Sequence, residues 1–220
     1  MGYVPVMSAR QFNAIDRLIA GLDQALHTVF GPPPAMERAN PASACEANTL
    51  NPGQTELAAR LMRVNHAGEV AAQALYQGQA LTARLPRVRE KMQQAAREEN
   101  DHLAWTAERI AELGGHTSWL NTVWYSQSFA IGALAGVAGD KWSLGFVAET
   151  EHQVVKHLDE HLDRLAPNDD KSRAILQQMR IDEAQHATTA MEAGAATLPA
   201  PLKHLMGLTS KVMTRTAFWV

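Results

Sequence analysis

The sequence offers little from which a covalent or strand-built framework could be made. One cysteine, Cys45, among 220 residues excludes a disulfide scaffold and fits a reducing compartment. A net charge of −3 leaves no basic excess, so nucleic acid is not an expected partner. The opening MGYVPVM has neither a basic start nor an apolar core, so no secretory leader is expected, and Val6 spoils a myristoylation pattern. The longest apolar run, FAIGALAGVAG from Phe129 to Gly139, is too short to span a bilayer. These absences predict a soluble or peripheral protein. Strand signals are nearly missing too, which leaves helix.

Helical periodicity runs through almost the whole chain. Ser8 and Gln11 form a capping box, followed by a stripe of Phe12, Ile15, Ile19, Leu22, Leu26 and Val29. The stretch Gly31–Gln54, rich in proline and small polar residues, reads as a linker. Helices are then expected over about 55–84, 86–113, 120–138, 141–165, 170–194 and 200–217, punctuated by Pro86, Gly114, Gly115, Gly139, Pro167 and Pro199. With 46% hydrophobic residues the chain can bury one sizeable core. The expectation is all-α: an N-terminal helix and linker over 1–54, and an antiparallel bundle over 55–220. The helix near 120–138 differs from the others in its small apolar residues, with Trp119, Trp124, Tyr125 and Trp142 at its ends. Two readings of it stay open, a crossover helix buried in the bundle and an interfacial membrane contact.

The chemistry lies in paired carboxylates and imidazoles. Residues three apart on a helix differ by about 300° and about 4.5 Å of rise, so they share a face. Glu99 with His102 and Glu183 with His186 are such pairs. The spacing alone proves little, because Glu149 and His152 repeat it. Position is more telling. Glu99 and His102 interrupt the apolar stripe Val88, Met92, Ala95, Thr106, Ile110, Leu113, and Glu183 and His186 interrupt Leu176, Met179, Ala190. Asn100, Asp101, Ala184 and Gln185 fall off these faces. Glu151 sits in the row Leu144, Val147, Val154, Leu158, Leu162, Leu165, and Glu69 in the row Met62, Ala72, Tyr76. Glu149, two residues from Glu151, points about 200° away and is not expected at the site.

Glu69 precedes Glu99 by 30 residues and Glu151 precedes Glu183 by 32, so the chain holds two similar helix pairs. Four carboxylates in one core repel strongly unless cations neutralise them, and two divalent ions do so. One Glu from each of two helices with Glu-x-x-His from each of two others is the donor set of di-iron and di-manganese carboxylate bundles. Oxygen donors with imidazole suit iron or manganese over a thiolate-seeking metal. An acid precedes each Glu-x-x-His glutamate. Glu98 is expected to accept the free ring N–H of His186, and Asp182 that of His102. His157 and His161, four apart, have the spacing of a metal pair, but the residues alone favour a chance pair on a polar flank. For His66, three residues before Glu69, an outer partner of the site and an ordinary satisfied histidine both stay open.

The segments LMRVNHAGEVAAQALYQGQA, EENDHL, VAETEHQVVKH and RIDEAQHA, in this order, resemble the demethoxyubiquinone hydroxylase family from about Leu61 to the C-terminus. RVNHAGE, Arg63 to Glu69, is the specific part, and Asn65 stands where many members have Asp. The resemblance implies a ferritin-like four-helix bundle with a crossover helix and a C-terminal helix, the N-terminal helix being extra. It implies two iron ions per chain, on Glu69, Glu99, His102, Glu151, Glu183 and His186, with Glu99 and Glu183 bridging. It also puts His157, six residues after Glu151, near the site. The implied reaction is hydroxylation of the ring of 2-polyprenyl-3-methyl-6-methoxy-1,4-benzoquinol with O₂ in ubiquinone biosynthesis. Implied surroundings are the cytoplasmic face of the cell membrane, held peripherally, and other ubiquinone-biosynthesis proteins. The rival readings are a ferritin-like iron oxidase or peroxide-reducing protein, and an inert helical lipid-binding module.

Overall fold

A computed structural model describes residues 14–31, 36–46 and 48–220. The capping box expected at Ser8 and Gln11, and Phe12 after it, lie outside these residues. Among the described residues the chain is all-α: α1 (Ala14–Phe30), α2 (Pro52–Thr82), α3 (Pro86–Glu112), α4 (Asn121–Ala138), α5 (Asp140–Arg164), α6 (Asp170–Glu192) and α7 (Ala200–Ala217).

Helix ends follow local chemistry. α2 starts three residues before its expected position, because Asn51 and Gln54 form a capping box and Pro52 suits a first turn that needs no N–H. The Asp169 side chain accepts from Ser172 N and opens α6. Gly139, at φ 118°, turns α4 into α5 within one residue, a conformation that a side chain would resist. Beside it, Asp140 accepts from the backbone N–H groups of Arg84 and Leu85 and ties this corner to the α2–α3 connection.

α2 and α3 pack as one hairpin and α5 and α6 as the other. Contacts such as Asn65 with His161 and Tyr76 with Glu151 set α2 antiparallel to α5, and Arg109 with Asp169 sets α3 antiparallel to α6. Leu61, Met62, Trp105, Ile110, Leu158, Leu176 and Met179 fill one end of the bundle, and Tyr76, Val88, Met92, Leu144 and Val147 the other. The metal-type residues lie between these apolar ends.

α4 is the crossover. It runs parallel to α2 at very close range: a Cβ on Gly78 would strike the Phe129 backbone, and one on Gly132 the Leu75 backbone. Its outer face leaves Val123, Leu134 and Val137 in solvent. The close approach of the inner face fits the reading of a crossover helix packed in the bundle. No helix among the described residues is long and apolar enough to cross a membrane.

The N-terminal region departs from expectation in two ways. Ala25 and Val29 of α1 pack against Val70, Ala74 and Leu103, but Ile19 and Leu26 of the same stripe stay exposed, because α1 lies mainly along α2 and α4 and buries only part of the stripe there. The segment read as linker is in part docked on the bundle. A 3-10 turn at Pro41–Ala44 lies against α6, and Ala42 is buried among Leu61, Trp105 and Leu176.

Candidate metal centre

Each turn of helix that carries a metal-type residue is held by apolar packing above and below it, so the polar groups are carried inward with the stripes. The structure brings Glu69, Glu99, His102 and Glu183 into one group and Glu151, Glu183 and His186 into a second, with donor atoms in each group within 4.8 Å of one another. All six side chains are buried except His186, which is half-buried. Glu183 belongs to both groups, and Glu99 Oε1 reaches His186 Nδ1 at 3.4 Å, so these two glutamates sit between the halves.

Both imidazoles point the same way relative to the centre. His102 Nδ1 faces Glu99 at 3.0 Å and Glu183 at 3.1 Å, while its Nε2 donates outward to Asp182 at 2.9 Å. His186 Nδ1 faces Glu183 at 3.1 Å, and its Nε2 donates to Glu98 at 2.7 Å. The outward bonds fix each ring so that Nδ1 is the nitrogen presented to the glutamates. These are the pairings expected for Glu98 and Asp182. Glu151 accepts from the Tyr76 hydroxyl.

The pocket demands positive charge. Burial and the carboxylates of Glu99 and Glu183 push the Glu69 carboxyl well above its ordinary range, and burial with Glu183 and Glu99 does the same to Glu151. Burial disfavours charge on Glu99 as well, but the facing His102 and His186 rings outweigh it and hold its carboxyl well below that range. Burial also opposes the imidazolium of His102, yet Asp182, Glu183, Glu69 and Glu99 raise it far above the usual imidazole range, and Glu183, Glu98 and Glu99 do so for His186. Glu69 Oε2 and Glu99 Oε1 are buried without a hydrogen-bond partner. Unsatisfied buried carboxylate oxygens are costly, and divalent cations satisfy them directly. The donor set and its two groups therefore fit a pair of metal ions.

Two cavities approach the centre. One, of about 300 Å³ between α2, α4, α5 and α7, reaches Glu69, Glu151 and Glu183, and its walls include Leu75, Ile131, Phe146, Val154, Leu205 and Met213. The other, of about 480 Å³, lies on the α3–α6 side and is edged by Glu98, Asp182 and His186, with Glu37 and Arg38 of the N-terminal segment.

The remaining sequence candidates are placed elsewhere. Glu149 pairs with Lys203 of α7 at 2.7 Å, and His152 is exposed. His157 bonds to none of the six residues; it lines the apolar cavity, with its ring 3.9 Å from that of His161. His161 Nδ1 meets Asn65 Oδ1 at 3.0 Å, and burial presses its ring pKa down to about 2. Burial likewise lowers His66 to about 4.

The roles of three residues escaped the sequence reading. Tyr76 stands in the core-facing row of Glu69, but that row does not anticipate its bond to Glu151 across the bundle. Asp101, expected off the core face, is 3% exposed because residues Glu37 and Arg38 cover it. Arg38, inside the expected linker, carried no periodic signal.

The family model for "Ubiquinone biosynthesis protein COQ7" matches residues 56–217. A protein of Nitrosococcus oceani named "3-demethoxyubiquinol 3-hydroxylase" is 62% identical over 214 residues, 97% of this chain and 100% of that protein. Proteins of the same name are 56% identical in Nitrosomonas eutropha, over 94% of this chain and 99% of the relative, and 55% identical in Ectopseudomonas mendocina, over 96% and 98%. With its all-helical bundle and a match across most of its length, the chain belongs to the COQ7 family of ubiquinone biosynthesis proteins.

Proposed function

We propose that the protein is a monooxygenase that uses O₂ to hydroxylate the ring of 2-polyprenyl-3-methyl-6-methoxy-1,4-benzoquinol, with two iron ions held by Glu69, Glu99, His102, Glu151, Glu183 and His186. The observation that carries this reading is the apolar cavity that reaches Glu69, Glu151 and Glu183. A protein that only oxidises aqueous iron or peroxide has no need of such a passage, whereas a prenylated quinol does. The relatives named 3-demethoxyubiquinol 3-hydroxylase support the same substrate class.

When bound, the irons would supply O₂ activation, one oxygen atom going to the ring and the other leaving as water with two electrons and two protons drawn from a reductant outside this chain. The protein's own groups do the rest. Aliphatic and aromatic walls exclude water and hold the quinol ring against the glutamates. Tyr76 donates to Glu151 and fixes that carboxylate on the cavity side. Asp182 and Glu98 hold the imidazoles with Nδ1 inward. The prenyl tail leaves the cavity between α4 and α7, where Val123, Leu134, Leu205 and Val212 are exposed, and this face rests on the cytoplasmic surface of the cell membrane.

The test is genetic. A strain lacking this gene, and holding no second hydroxylase for the same ring position, should accumulate the demethoxy quinone precursor. The wild-type gene should restore ubiquinone and the Glu183→Ala gene should not. Normal ubiquinone in the deletion strain would reject the assignment.

A further inference from the structure

The two halves of the centre match in their buried donors but not in what stands behind them. Glu98, behind His186, is bonded otherwise to Gln94 alone among the described residues, and 41% of its side-chain surface is open to solvent. Asp182, behind His102, is held by a cation from outside the bundle. Arg38 Nη1 donates to Asp182 Oδ2 at 2.8 Å, and its Nε donates to Asp101 Oδ2 at 2.8 Å. One guanidinium thus joins α6 to α3. The same group lies 4.8 Å above the centre of the Trp105 ring, and Trp105 packs on the His102 ring at 5.4 Å. Arg38 therefore touches two of the neighbours of the His102 ring, Asp182 and Trp105.

The segment that delivers Arg38 is fastened on each side of it. Glu37 N donates to Asp101 Oδ1 at 2.8 Å. Asn40 Nδ2 donates to Glu108 at 2.8 Å, the Asn40 side chain caps the 3-10 turn by accepting from Ala42 N, and Ala42 is buried in the core. A planar, bidentate, permanently charged group suits this bridging place, and a lysine offers only a point charge.

We infer that Arg38 is a positioning residue for His102. It holds Asp182 so that Asp182 in turn holds the ring with Nδ1 toward Glu99 and Glu183. Residues 37–42 are thereby part of the metal centre, and the two metal positions are made unequal. The inference rests on the di-iron reading above for its consequence, but the ring geometry stands on its own. Outer partners of a metal-bound histidine are worth about 10–100-fold in metal affinity.

The experiment uses the full chain with Arg38 intact, Arg38→Lys and Arg38→Ala, each titrated anaerobically with Fe(II). Imidazole N–H signals are followed by ¹⁵N NMR in the same samples before iron is added. The expected result for Arg38→Ala is about tenfold weaker binding in one of two iron steps, the other staying within about twofold. The His102 Nε2–H signal should shift or broaden while that of His186 holds, and Arg38→Lys should fall between. An unchanged His102 signal would overturn the inference, as would equal weakening of both iron steps. If the wild-type chain takes up no Fe(II), the di-iron reading fails, and the His102 signal alone decides whether Arg38 positions the ring.

Discussion

Glu149 and Glu151 show how far a single residue can be read from sequence. Both lie in the same turn, and Glu149 is the one that completes a Glu-x-x-His pattern. The apolar row selects Glu151 because its side chain must leave the helix on the side of Val147 and Leu158, and in the structure Glu151 is buried while Glu149 bonds to Lys203 and Gln153. Glu151→Gln is expected to lose about one of two irons and to lower turnover by more than the roughly 10–100-fold that a lost outer partner costs. Glu149→Gln removes only a partly exposed ion pair worth about 0–1 kcal/mol and should keep both irons and most activity. Iron content and quinol turnover of the two variants side by side check this, and the reverse pattern would mean that Glu151 is not a ligand. Asp101 and Arg38 mark the limit of such reading. A periodic pattern reports which face a helix buries, and it is silent about an irregular segment that later covers another face.

At the scale of elements, the bundle helices from α3 onward begin within a residue of where the punctuation put them, since Pro86, Gly139, Asp169 and Pro199 act locally. The start of α2 moved because a capping box overrides the proline-rich look of the preceding residues. What periodicity could not convey is how closely α4 approaches α2. Its small residues suggested either burial or a membrane contact, and the glycines supply the physical answer for one face. Gly132 has no room for a methyl group, since the Leu75 backbone lies where its Cβ would be. Gly132→Ala should therefore destabilise the fold by about 1–3 kcal/mol through overpacking. Thermal unfolding measures this. An unchanged melting temperature would show that α4 does not sit against α2 as described.

For the whole molecule, the internal repeat was legible because two helix pairs carry the same residues at nearly equal separations. The cavity between α2, α4, α5 and α7 was not legible, since it is formed by side chains from four distant segments. Leu205 and Val212 of α7 line it and are also exposed to solvent, which is the basis for the proposed membrane face. The protein should float with liposomes without detergent, and Leu205→Glu with Val212→Glu should reduce the floating fraction severalfold while leaving iron content unchanged. Equal flotation of the double variant would place the membrane contact elsewhere.

The central claim is that one buried site of four glutamates and two histidines, loaded with iron, puts an oxygen atom from O₂ onto a quinol ring. Its most direct test is the product mass after turnover of reduced demethoxy quinol under ¹⁸O₂, with a chemical reductant supplied, by purified protein of known iron content. The account predicts about two irons per chain and a hydroxylated ring carrying one ¹⁸O atom. Product without ¹⁸O, or the same product from iron-free protein, would contradict it.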